Sequence, residues 1–199
     1  TYNPDGQILD EDYVYGSFIQ SKMYQNNVAC NNCHDVHSLK LKFDGNKLCL
    51  QCHAPEFDTA SHHFHQGNNE GTQCINCHMP GKFYMGNDYR RDHSFRVPRP
   101  DQSITFNTPN ACTQCHTDKT DQWAWDNFKK NSGTPDHPHF SDKLAPGITG
   151  VEGADIGLME LANDQSQPEI ARASAVKAMA NYDIQNNINA YIALLNDNA

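Results

Sequence analysis

Apolar residues at helical spacing are sparse in this chain and gather near its two ends. Val14, Phe18, Ile19 and Met23 follow the acidic run Asp10-Glu11-Asp12 and predict a short N-terminal helix. Residues 118–132 read as a helix, with Trp123, Ala124 and Phe128 on one face and Gly133 just past its end. The run Ile156 to Ala162 predicts another. Ser166-Gln-Pro-Glu169 reads as a helix start with a capping-box pair, followed by Ile170, Ala173, Val176 and Ala178-Met179. Ile184, Ile188, Tyr191-Ile192 and Leu195 predict a last helix.

Between these ends the pattern is broken. Residues 30–80 hold few periodic positions and predict loops and short helices. Residues 81–111 read as irregular, with Pro98, Pro100 and Pro109 as breakers, and residues 133–149 as a Pro/Gly-rich linker. Hydrophobic residues make up 37% of the chain, too few for a core built from side chains alone. Something else must supply apolar surface.

The cysteines identify it. All eight fall in four Cys-x-x-Cys-His motifs: Cys30–His34, Cys49–His53, Cys74–His78 and Cys112–His116. Zinc ribbons, redox dithiols and disulfide scaffolds all use Cys-x-x-Cys, but none requires a histidine after every second cysteine. The pattern is the attachment signature of c-type haem. Cys30, Cys33, Cys49, Cys52, Cys74, Cys77, Cys112 and Cys115 would form thioethers to four haems, and His34, His53, His78 and His116 would ligate the irons from one face. The expected fold is mainly α with extensive loops. A haem-wrapping part would span residues 1–149, with a small C-terminal helical cap over 150–199.

Seven further histidines remain for the other faces. His37 lies three residues after His34 on the same turn, so it should reach a neighbouring haem. Adjacent residues point apart, so two of His62, His63 and His65 should serve two haems, with the third bonding backbone or propionate. His93, isolated after Arg90-Arg91-Asp92, is a further distal candidate, its arginines suited to propionates. His137 and His139, in the linker, are weaker candidates, and Met23 reads as packing.

The element Cys30-Asn-Asn-Cys33-His34-Asp-Val-His37, followed by Cys49-Leu-Gln-Cys52-His53, resembles the paired-motif multihaem cytochromes c. The stretches from Gly16-Ser-Phe, through Arg90–Pro100, to Thr108-Pro-Asn-Ala-Cys112 are similar to a bacterial group whose multihaem region precedes HEAT or TPR repeats. That resemblance covers residues 5–195 and implies mostly bis-histidine haems and electron transfer in the periplasm or outside the cell. Group members carry further haems upstream and further repeats downstream, so this sequence is either a compact version or a portion.

Charge and hydropathy narrow the partners. The formal net charge is −9, which excludes nucleic acid and anionic membranes and favours redox partner proteins with basic faces. No segment is apolar enough to span a bilayer. Haem of this type is attached outside the cytoplasm, so the chain should be exported, although no leader is visible at Thr1. The expected function is electron carriage along closely spaced haems. A filament variant, with copies of the chain extending the haem series, would use the linker histidines. The alternative is a nitrite- or hydroxylamine-type oxidoreductase, which needs one haem with an open face.

Overall fold

A computed structural model describes residues 2–11 and 13–183, with residues 188, 191 and 192. The predicted last helix, Ile184 to Leu195, falls largely outside the described residues. The N-terminal apolar stretch forms two short helices, α1 (Val14–Phe18) and α2 (Lys22–Gln25), instead of one. The break is Ser21, whose side chain accepts from the Tyr24 amide at 3.0 Å and so starts a new helix.

Single helical turns follow: α3 (Cys30–Cys33), α4 (Lys47–Leu50), α5 (Ala60–His63) and α6 (Cys74–His78). The stretch predicted to be irregular contains two elements. β1 (Gly81–Tyr84) pairs antiparallel with β2 (Asp88–Arg91), and Pro100 opens α7 (Pro100–Phe106). The proline sits in the first turn, where its missing N–H costs nothing, so it starts the helix it was expected to break. Then come α8 (Ala111–Cys115) and α9 (Asp121–Ser132), the latter N-capped by Thr120 and stopped at Gly133.

The linker reading of 133–149 is corrected by α10 (Ser141–Ile148). Its Leu144 joins Leu158, Leu161 and Ala162 of α11 (Asp155–Asn163) and Ala175 and Ala178 of α12 (Glu169–Ala178) in one buried cluster with Met179. Gly147 lets α10 and α11 close together, because a Cβ there would lie 2.6 Å from Leu158 Cδ1. The capping box predicted at Ser166 does not form. Ser166 bonds to Asp164 through both its backbone amide and its hydroxyl, and Pro168 takes the N-cap position.

A looped N-terminus ties these parts together. Buried Asp5 accepts from Gln7 Nε2 at 2.6 Å and lies 3.4 Å from Arg96, while Gln7 also donates to the Pro109 carbonyl at 2.6 Å. Gly6, at φ +88°, passes beneath Phe140 and Arg96 with no room for a side chain.

Candidate haem centres

Each motif closes into one turn of helix. The backbone N–H of His34 donates to Cys30 O at 2.8 Å, that of His53 to Cys49 O at 3.0 Å, and that of His116 to Cys112 O at 2.8 Å. His78 ends α6 in the same way. Two thiols and an imidazole therefore project from each turn, the donor set covalent haem requires. Asn110 caps the fourth turn, accepting from the Thr113 amide at 3.0 Å.

The motifs are neighbours in sequence order. Cys33 lies within electrostatic reach of Cys52, and Gln51 donates to the Asn32 carbonyl at 3.4 Å. Cys49 and Cys74 are electrostatic neighbours, and Asn46, just before the second motif, accepts from the Cys74 amide at 2.9 Å. Cys77 lies within reach of Cys112 and Cys115, where α6 touches α8. Burial pushes the Cys49 and Cys77 thiols up to about 11, with Cys74 and Cys112 adding to it in turn.

Distal candidates fall beside specific motifs. The His62 ring is near-parallel to that of His78, with centroids 6.1 Å apart and planes 11° apart. His65 and His116 repeat this spacing, at 6.1 Å and 23°. Iron–nitrogen bonds of about 2 Å on both faces, with each centroid about 1 Å beyond its nitrogen, would separate two axial rings by about 6 Å. His93 is an electrostatic neighbour of His34.

Tautomers follow from the ring partners. Nδ1 of His34 meets Leu39 O at 2.9 Å, that of His65 meets His63 O at 2.5 Å, that of His78 meets Arg96 O at 2.9 Å and that of His93 meets Arg91 O at 2.9 Å. A carbonyl only accepts, so each Nδ1 carries the proton and each Nε2 presents a lone pair, the state a metal ligand needs. Burial lowers the His62 and His93 pKa values, with His78 and His34 as further causes, and favours the same neutral form.

His63 is the odd member of its cluster. Its Nδ1 accepts from the His65 backbone N–H at 3.3 Å, so it is a backbone partner. His37 sits on an exposed turn, its N–H donating to Asp35 Oδ1 at 3.2 Å, and its ring pairs with no other imidazole among the described residues. His53 faces Phe57 edge-on, and Phe57 in turn faces His62. His139 turns inward, accepting from the Ser141 N–H at its Nδ1, and His137 is exposed beside Asp136.

The arginines offered to propionates are engaged by protein. Arg90 pairs with Asp88 at 2.6 Å and Glu11 at 3.3 Å. Arg91 donates to the carbonyls of Ile75 and Met79, both at 3.1 Å, and to Asn76 Oδ1 at 2.9 Å, clamping the third motif. Arg91 was singled out in the sequence, but for propionate binding. Asn46, which accepts from the Cys74 amide, Ser17, which accepts from the His93 amide, and Gly71, which lies against the His65 ring, carry no local sequence pattern that marks them.

The sequence model of a family described as doubled CXXCH motif matches residues 24–57. No curated protein matches the chain. A solved structure, the outer cell wall cytochrome OcwA, aligns with a TM-score of 0.41 and 17% identity over 84% of this chain. The chain spans 39% of the length of that cytochrome.

Proposed function

We infer that this multihaem c-type cytochrome, of the paired-CXXCH kind, holds four bis-histidine haems and relays electrons along them. Haem iron, passing between ferric and ferrous states, supplies the one-electron chemistry. The protein's part is to fix the irons in a series and to close both faces of each.

The observation that carries this reading is two pairs of near-parallel imidazoles with centroids 6.1 Å apart, His62 with His78 and His65 with His116, a spacing that suits two ligands of one iron. His93 is assigned to the site of His34, on their proximity and complementary tautomers. His37 is assigned to the site of His53, because motifs one and two touch. Motif order in space supports a single-file series from Cys30 to Cys115. His62 and His65 are three positions apart, about 10 Å of chain at most, which favours close approach of the third and fourth haems.

Thioether attachment implies export, to the periplasm or the cell exterior. The charge of −9 favours redox partners with basic faces. The helices from α10 onward serve as a cap on the haem-bearing part.

The test is the visible spectrum of the dithionite-reduced holoprotein with and without carbon monoxide. Four haems by mass and an unchanged spectrum are expected. A carbon monoxide complex at a haem of the native protein would mark an open face and turn the reading toward an oxidoreductase.

A further inference from the structure

Gly71 occupies the one-turn segment Glu70–Thr72, just before the third motif, and its missing side chain leaves room for the His65 ring. A Cβ on Gly71 would lie 2.7 Å from His65 Cγ and 2.9 Å from Nε2, and closer still to Cδ2. Real Cβ atoms essentially never approach within 3.0 Å of a neighbour.

Both partners are tethered by hydrogen bonds. The Gly71 backbone N–H is held by Asn69 Oδ1 at 2.8 Å, and the next carbonyl, of Thr72, accepts from Asn46 Nδ2 at 2.8 Å. Asn69 in turn donates to the Gln66 carbonyl at 2.7 Å, which fixes the turn to the chain that follows His65. On the other side, the His65 ring is tethered through Nδ1 to the His63 carbonyl, and His116 stands across from it. Phe64, at φ +59°, makes the reversal that turns His65 away from His62.

We propose that Gly71 is the positioning residue for the distal ligand of the fourth haem. Its bare Cα forms the wall that lets the His65 imidazole face His116. The turn that forms this wall leads directly into the third motif, so the third site helps to shape the fourth. The proposal rests on His65 being a ligand.

Gly71 is well suited to a test because its φ lies outside the left-handed region. Alanine there brings no backbone strain, only the steric contact with the ring. The experiment compares holoproteins of wild type, Gly71→Ala, His65→Ala and the double variant. Haem content is read by intact mass and open faces by ferrous carbon monoxide difference spectra.

Removing the His65 ring should open one haem of the four. Gly71→Ala should open the same haem, with the same difference spectrum. The double variant should match His65→Ala, because the alanine methyl then has space. A Gly71→Ala variant that loses haem, but regains it when His65 is also replaced, carries the same conclusion. A native spectrum for Gly71→Ala would overturn the proposal, and so would an added defect on top of His65→Ala. If His65→Ala itself bound no carbon monoxide, the ligand reading would fail first.

Discussion

The side chain of Asn46 accepts a hydrogen bond from the backbone N–H of Cys74, 2.9 Å away and 28 residues later in the chain. Its Nδ2 donates to the Thr72 carbonyl at 2.8 Å and to Asp58 Oδ1 at 2.6 Å. One residue just before the second motif, at the N-cap of α4, thus caps the helix of the third and holds the turn that carries Gly71. A capping side chain is worth about 1 kcal/mol, and a second lost bond adds a similar amount. Asn46→Ala should lower holoprotein stability by about 2 kcal/mol in guanidinium unfolding, with haem content unchanged. Asn46→Asp keeps the acceptor but sets a carboxylate against Asp58, so it should not restore the loss.

His93 is placed by its backbone as much as by its ring. Its N–H donates to the hydroxyl of buried Ser17 at 3.1 Å, and its neighbour Asp92 accepts from the amides of Ile8 and Ser94. His93→Ala should leave four haems attached and convert one to a high-spin, carbon monoxide-binding form. Ser17→Ala removes the bond from the His93 N–H and the hydroxyl's donation to the Val14 carbonyl at 3.0 Å, together worth about 2 kcal/mol, and should leave that haem low-spin. A wholly low-spin His93→Ala variant would overturn the assignment.

The four motifs were legible as sites because their pattern is local. Cys-x-x-Cys-His is a single helical turn, and nothing distant is needed to form it. The break between Phe18 and Met23 and the helix starting at Pro100 were misread for a shared reason: Ser21 and Pro100 act as helix starters, and apolar periodicity does not register that role. The hairpin at 81–91 escaped because only Tyr84 is buried along it, so it shows no alternating face. The linker reading failed at α10 because Leu144 and Ala145 are buried by partners that arrive later in the chain, Leu158 among them. The close fit of Gly71 to His65 has no sequence signature, since it exists only once the chain has turned back at Phe64.

His139 gives the fold a dependence on pH. Burial, with Arg96 and Arg99 nearby and Asp101 opposing them, lowers its pKa to about 4. In the unfolded chain it titrates near the ordinary value of about 6.5. The folded state therefore binds fewer protons than the unfolded state between those values. Its contribution is complete above about pH 6.5 and is lost as the pH falls toward 4, by about 3 kcal/mol at most. Stability measured across that range should fall less steeply in His139→Gln than in the parent. Equal slopes would show that other groups carry the acid sensitivity.

Leu158 tests whether the helical cap and the haem sites are separate in energy. It is wholly buried, filling the space left by Gly147 and packing in the cluster of Leu144, Leu161 and Met179. Leu→Ala at such a site costs about 3–5 kcal/mol through lost burial and the cavity left behind. The four motifs lie elsewhere, and thioether bonds to haem there would survive unfolding of the cap. Leu158→Ala should therefore lower the midpoint of the helical signal in far-ultraviolet circular dichroism while the Soret and α bands keep their native form at low denaturant. A carbon monoxide-binding haem in Leu158→Ala would instead mean that the cap holds an axial ligand in place. The first site to inspect would be that of His78, because its Nδ1 bonds to the carbonyl of Arg96, which packs at Gly6 beside Phe140.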